Sequence, residues 1–351
     1  MHFASDNTAG LPPEILAAIA EASDGHALGY GNDALTARLR DRIRDLFEAP
    51  EAEICLVSTG TAANALALAT LTPPWGAIYC HPLAHIEVDE CGAPEFYTGG
   101  AKLVHVGGAN GRMTPQALAG ALAEAGRGNV HSVQPATLSL TQLTECGTRY
   151  SCADLAALAA MARAEGLAVH LDGARFANAL VAEGCSPAEM SWRAGVDMLV
   201  LGGTKNGLMG VEAVVVFDPA RAWELQLRRK RAGHLWSKHR YLAAQMLAWL
   251  EDGLWLRLAA HANAMAARLE AGITEHAELL FPHEGNMLFA RWPRGLHHRL
   301  REAGAEYYLW PDSETLDGDA AGLVSARLVT SWSTTEAQVD AFVAQLCNAT
   351  T

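Results

Sequence analysis

Short, almost uninterrupted apolar runs alternate with longer segments of helical spacing over the first two thirds of the chain. EICLV, AIYC, KLVHV, ATLSL, LAVHLD, DMLVL and EAVVVF read as buried strands, and TAANALALATL, PQALAGALAEA and ADLAALAAMARAEG read as helices. Strands without a polar face, alternating with helices, predict a mostly parallel sheet covered on both sides. Ahead of the first strand, residues 13–23 have helical spacing with Pro13 in the first turn. A Gly-rich bend, GHALGYGND, follows, and Asp33 is placed to cap an amphipathic helix over 34–48.

Near Pro219 the texture changes. A long helical region over 221–250 carries the basic cluster RRKRAGHLWSKHR, and a second helix is expected over 254–271. Short strands around ELLFP, NMLFARW and GLVSARLVTSW and a closing helix from Thr334 complete a smaller α+β unit. The expected division is a large domain over 1–240 and a small C-terminal domain over 241–351, both of ordinary size.

Composition narrows the class. The 351 residues contain 26 Lys and Arg against 39 Asp and Glu, a net charge of −13, which disfavours nucleic acid and anionic membrane surfaces as partners. Half the residues are apolar and 19% are charged, enough to build a large core. Seven scattered cysteines include no C-x-x-C pair, so neither a zinc ribbon nor a disulfide framework is expected. The opening MHFASDNTAGLPPE lacks a basic region followed by an apolar run, and no apolar stretch reaches the roughly 18 uncharged residues that span a bilayer. A cytoplasmic protein with reduced thiols is expected, with no metal site.

Three strand ends carry candidate chemistry. VHLDGAR places Asp172 at the C-terminal end of a buried strand, where open α/β sheets bind their ligands. DMLVLGGTKNG places Lys205 at the end of another, framed by glycines, and LVSTGTAAN sets Gly60 and Thr61 at a helix N-terminus suited to a phosphate. A phosphate cradle, a carboxylate and a lysine amine together suit pyridoxal 5'-phosphate (PLP). The amine can condense with the cofactor aldehyde, and the carboxylate can keep the pyridine nitrogen protonated. No G-x-G-x-x-G motif or P-loop competes.

The segments ASDNTAG, GYGND, STGTAANALAL, AHIEVDECGAPEF, TQLTECGT, VHLDGARFANALV, GGTKNG, RRKRAGHLWSK and SARLVTSW span residues 4–332. They resemble the low-specificity L-threonine aldolases, in the aromatic amino acid β-eliminating lyase/threonine aldolase family. The resemblance implies a fold-type-I, PLP-dependent transferase-like α/β fold: a large domain with a mostly parallel seven-stranded sheet and a smaller C-terminal α+β domain. It also implies retro-aldol cleavage of L-β-hydroxy-α-amino acids to glycine and an aldehyde. By the same resemblance, Lys205 is the Schiff-base lysine, with Thr204 beside it, and Asp172 the partner of the pyridine nitrogen. His85 stacks on the ring, Gly60 and Thr61 hold the phosphate, and Arg175 contacts the cofactor hydroxyl or substrate carboxylate. Ser5 and Arg327 grip that carboxylate, a task for which a guanidinium fork is suited. Tyr30 and Lys230 fall where the family draws on a neighbouring subunit, Lys230 toward the phosphate. A homo-oligomer follows, a dimer usually within a tetramer.

Some positions depart from the pattern. A histidine that relatives carry near TQLTECG is replaced here by Thr144 or Glu145, with His131 a little upstream as a substitute. Ser237 or Lys238 stands where an arginine is common, and Asn7 where many relatives have Thr. SDN, DECGAPEF and SKHR resemble a bacterial subgroup that includes phenylserine aldolases. For the base that takes the β-hydroxyl proton, His85 ranks first, with His131 or a water behind it. Glu90 is expected to support the site, and the basic run 228–231 to be a helix face with at most two residues toward the phosphate. His297 and His298 are expected to be exposed, the tryptophans to be packing residues, and Cys91 and Cys146 to be inert. An aromatic-preferring aldolase, another PLP-dependent β-eliminating lyase and a non-catalytic PLP binder remain the alternatives.

Overall fold

In the computed structural model, which describes residues 1–347, seven strands form the larger sheet. They are β1 (Glu53–Val57), β2 (Gly76–Cys80), β3 (Lys102–His105), β4 (Gln134–Thr141), β5 (Ala168–Gly173), β6 (Met198–Gly202) and β7 (Glu212–Val216), in the order β1-β7-β6-β5-β4-β2-β3. Strands β3, β2, β4, β5 and β6 run parallel, while β7 is antiparallel to both β6 and β1. The alternation along each strand divides the core between two faces. Leu138, Leu140, Val169, Leu171, Leu199 and Leu201 pack on one, and Ala168, Met198, Val200 and Val214 face the helix Gly60–Leu71 on the other. That helix is buried along ten of its twelve residues, which explains its nearly continuous apolar sequence.

The smaller sheet is antiparallel, β10-β11-β9-β8, built from β8 (Glu278–Leu279), β9 (Met287–Pro293), β10 (Tyr308–Leu309) and β11 (Leu323–Val329). Its core of Leu288, Trp292, Leu328 and Phe342 also takes in Phe3 from the N-terminal arm, whose ring meets Phe342 edge-on at 5.2 Å. The division expected at residue 240 is therefore displaced at both ends. The helix Arg240–Leu250 buries Leu242, Met246 and Trp249 in the large core, whereas Phe3 belongs to the small one.

Local expectations fare differently. Asp33 caps Ala34–Leu46 by accepting from Thr36 N. The region 221–250 is not one helix: Ala222–Arg231 ends before Gly233, at φ +80°, and a new helix starts at Arg240. His297 is buried rather than exposed, stacked on Trp292 at 4.4 Å and hydrogen-bonded to Tyr307 Oη and Val324 O at 3.0 Å each. Its neighbour His298 is exposed. Trp249, Trp255 and Trp292 are packing residues, but Trp75 and Trp223 lie open at the surface. No helix among the described residues is long and apolar enough to cross a membrane.

Candidate active site

Parallel strands deliver their C-terminal residues to one edge of the sheet, and the functional residues collect there. Thr141, Asp172 and Val200 lie side by side across β4, β5 and β6. Beyond β6 the chain turns through Thr204–Asn206, so Lys205 rises over the end of β5. Only glycine permits this approach: a Cβ on Gly202 would sit 2.7 Å from Ala174 Cα, and one on Gly203 2.7 Å from Val211 O.

Asp172 and Lys205 line a cavity of about 450 Å³ with Gly60, Thr61, Asn64, His85, Glu90, Thr204 and Glu212. Thr59 caps the helix by accepting from Ala62 N at 3.2 Å, leaving the N–H groups of Gly60 and Thr61 as first-turn donors without an acceptor inside the helix. A Cβ on Gly60 would meet nothing within 4 Å, so the backbone there is open to a ligand.

A buried hydrogen-bond chain runs along the cavity floor. Asn64 donates from Nδ2 to Asp172 Oδ2 at 3.0 Å and to Glu90 Oε1 at 2.9 Å, and Glu90 Oε1 is 2.8 Å from His85 Nδ1. Two carboxylates on one amide fix its orientation, because its oxygen turned toward them would repel both. The other Asp172 oxygen accepts from Ala174 N at 2.9 Å. Burial pushes the Glu90 carboxyl above its ordinary range, against the hydrogen bonds from His85 and Asn64. Burial would lower His85, yet the Glu90 hydrogen bond and the Glu145 charge hold it above its ordinary value. With Nδ1 held by Glu90, His85 turns Nε2 toward Asp89 Oδ2, at 3.6 Å. Beneath Asp172, buried His170 bonds Ser139 Oγ at 2.9 Å through Nδ1, and burial drives its pKa down to about 4.

A second cavity of about 320 Å³ adjoins the first and shares Asn7, His85 and Lys205 with it. Ser5, Glu145, Arg175, Trp310 and Arg327 also line it. Its two arginines are not equivalent. Arg175 is committed to buried Asp6, Nε to Oδ2 at 2.7 Å and Nη2 to Oδ1 at 3.0 Å. Each charge stabilises the other against burial: Asp6 lies below the usual carboxylate range and Arg175 above its ordinary value. Arg175, expected at the cofactor hydroxyl or the substrate carboxylate, lines the cavity while paired with Asp6. Arg327, on β11 between Phe289 and Tyr308, donates from Nη2 to Ala4 O at 3.3 Å and holds its buried Nε without a partner. Burial and the Arg175 charge lower its pKa, the mark of a guanidinium that lacks a counter-ion. Glu145 also has no hydrogen-bond partner among the described residues and sits on a turn fixed by Thr144 and Thr148, which exchange bonds at 2.8 Å.

The structure thus gathers Lys205, Thr204, Asp172, His85, Glu90, Gly60, Thr61, Ser5, Arg175 and Arg327 around two adjoining cavities. His131 does not join them. It is exposed ahead of β4, at the opposite end of an eight-residue strand from Thr141, about 25 Å away at the usual rise. Tyr30 and Lys230 line neither cavity; they pair at the surface, with Lys230 Nζ 4.7 Å from the Tyr30 ring centre. Asn64, Asp6, Glu212 and His170 were not singled out from the sequence. An asparagine inside an apolar helix and an aspartate beside Ser5 were the available signals.

A lysine amine, a hydrogen-bonded buried carboxylate and open helix-end N–H groups around one cavity fit PLP in charge and donor type. This is the site of a PLP-dependent enzyme of fold type I. The β-eliminating lyase family matches residues 2–291, and the chain belongs to that family. It is 40% identical over 346 residues to the low-specificity L-threonine aldolase of a Pseudomonas species, covering 98% of this chain and 96% of that protein. The Pseudomonas aeruginosa low-specificity L-threonine aldolase is 42% identical over 334 residues, 95% and 93% of the two chains. A solved Leishmania major threonine aldolase superposes with a TM-score of 0.92 at 30% identity, over 100% of this chain and 99% of that one.

Proposed function

We propose that the protein is a PLP-dependent aldehyde-lyase that cleaves L-β-hydroxy-α-amino acids, threonine- and phenylserine-type, reversibly to glycine and an aldehyde. One observation carries this reading: Lys205 stands between a cavity built on Asp172 and a cavity built on the unpaired Arg327. PLP, when bound, supplies an electron sink for the bond being broken. Lys205 would hold it covalently, Asp172 would face its pyridine nitrogen, and the Gly60 and Thr61 N–H groups with Thr204 would receive its phosphate.

Arg327 and Ser5 take the substrate α-carboxylate, satisfying the Nε that otherwise has no partner. That anchor points the β-carbon toward His85. Glu90 fixes the tautomer of His85, and Nε2, which lines the cavity edge beside Asp89, takes the β-hydroxyl proton. Only the neutral imidazole can do so, and the raised His85 pKa places the working range on the alkaline side of an ordinary histidine. Tyr30 and Lys230, turned away from the cavities of their own subunit, are assigned to the site of a partner in a homo-oligomer. A cytoplasmic location is the companion reading, supported by seven cysteines that all stand as thiols.

Incubating the holoenzyme with L-threonine and with L-phenylserine tests the reading. Glycine and aldehyde in equal amounts are expected. A keto acid with ammonia, and no aldehyde, would replace it with β-elimination.

A further inference from the structure

Outside both cavities, two half-buried cysteines distant in sequence meet at the surface. Cys152 opens the helix Cys152–Ala164, and Cys185 follows the helix Phe176–Glu183; their Sγ atoms are 3.3 Å apart. They line an open cleft of about 300 Å³ with Ala156, Glu189 and Arg193. The two helix ends are already tied together, because Glu183 accepts from Cys152 N at 3.2 Å and from Arg149 Nε at 2.9 Å. Closing the sulfurs to the ~2.0 Å of a disulfide therefore needs only a small side-chain movement. Cys55, Cys80 and Cys146 are buried.

We infer that Cys152 and Cys185 form an oxidative modification site, closing a reversible intramolecular disulfide by exchange with a small-molecule disulfide such as oxidised glutathione. Cys152 attacks first, since the N-terminal turn of its helix favours the thiolate. Its sulfur breaks the S–S bond of the reagent, forms a mixed disulfide and releases one glutathione thiolate. The Cys185 thiolate then attacks the Cys152 sulfur and expels the second glutathione thiolate. In sum, two protein S–H bonds and one reagent S–S bond become one protein S–S bond and two glutathione thiols. Burial pushes both thiols up, Cys185 to about 12, so exchange is slow at neutral pH. The same property makes the two sulfurs poor leaving groups, so a thiol reductant reverses the bond slowly as well. The closed loop contains β5 with Asp172 and Arg175, so the cross-link restricts the unfolded chain around the site and leaves the folded cavities as they are.

The test is to hold the holoenzyme for hours with oxidised glutathione at about pH 8.5, where the thiolate fraction of both raised thiols exceeds that at neutral pH. The expected product has lost two hydrogens and yields a tryptic pair joining residues 150–163 and 176–193, separated by reduction. Its Tm rises by about 5 °C with turnover retained. Both changes should vanish in Cys152→Ser and in Cys185→Ser. A stable glutathione adduct on Cys152 with Cys185 present, a cross-link through Cys91 instead, or no linked pair would each overturn the inference.

Discussion

The two cavities that share Lys205 are built on opposite principles. Around Asp172, the charged groups are tied to one another: Asn64 bridges two carboxylates and Glu90 holds His85, and only the second Glu90 oxygen and the Asn64 oxygen of this network are buried without a partner. Around Arg327, a guanidinium and the Glu145 carboxylate line one space without pairing, while the other arginine is held by Asp6. A connected network of this kind suits a resident group that must be held at one angle through many turnovers. An unpaired charge suits a ligand that arrives and leaves, because its free energy is realised only on binding. Under the proposed function, the contrast assigns the first cavity to the cofactor and the second to the substrate.

The largest effect is expected at the residue common to both. Lys205→Ala should lower turnover by on the order of 10³-fold or more while PLP still binds non-covalently, as steady-state rates and dialysis against the cofactor will check. Next is the internal pair: Asp6→Ala leaves Arg175 buried without a counter-ion and should cost about 3–5 kcal/mol of stability in denaturant unfolding. On the cofactor side, Asn64→Ala removes the donor that Asp172 and Glu90 share and should cost about 1–3 kcal/mol. Its readouts are thermal unfolding and the visible absorbance of the bound cofactor.

The smallest effect concerns pH. Glu145 helps to raise His85, and only neutral His85 accepts a proton, so kcat/KM climbs as pH rises through the His85 pKa. Glu145→Gln should lower that pKa and move the acidic limb of the profile toward lower pH, by up to about one unit. A limb that stayed in place would mean that another group carries the titration.

Much of the cofactor side was legible in the sequence because it depends on strand ends. An apolar run that stops at Asp172 or at Gly202–Gly203–Thr204–Lys205 announces both the element and the residue it presents. Asn64 and Asp6 were hidden for a different reason. Their partners lie 108 and 169 residues away, and only the packing of the helix Gly60–Leu71 on β5 and of the N-terminal arm against the turn Thr204–Asn206 brings them into reach. His131 shows the converse error, since nearness in sequence to β4 says nothing about which end of the strand a residue occupies. His297 sits in a polar helix whose basic residues mask one buried face, on which the imidazole stacks against Trp292. The break between Ala222–Arg231 and Arg240–Leu250 was marked only by Gly233 within a run of otherwise good helix formers.

The division between the two cavities is tested most directly by Arg327→Ala, assayed for L-threonine kinetics and cofactor content on the same preparation. Arg327 should matter to the substrate alone. The expected result is full PLP occupancy with an unchanged visible spectrum and a kcat/KM reduced by about 2–4 kcal/mol, roughly 30- to 1,000-fold, with partial recovery in Arg327→Lys. Loss of the cofactor with substrate affinity intact would contradict the account and place Arg327 in the cofactor's site instead.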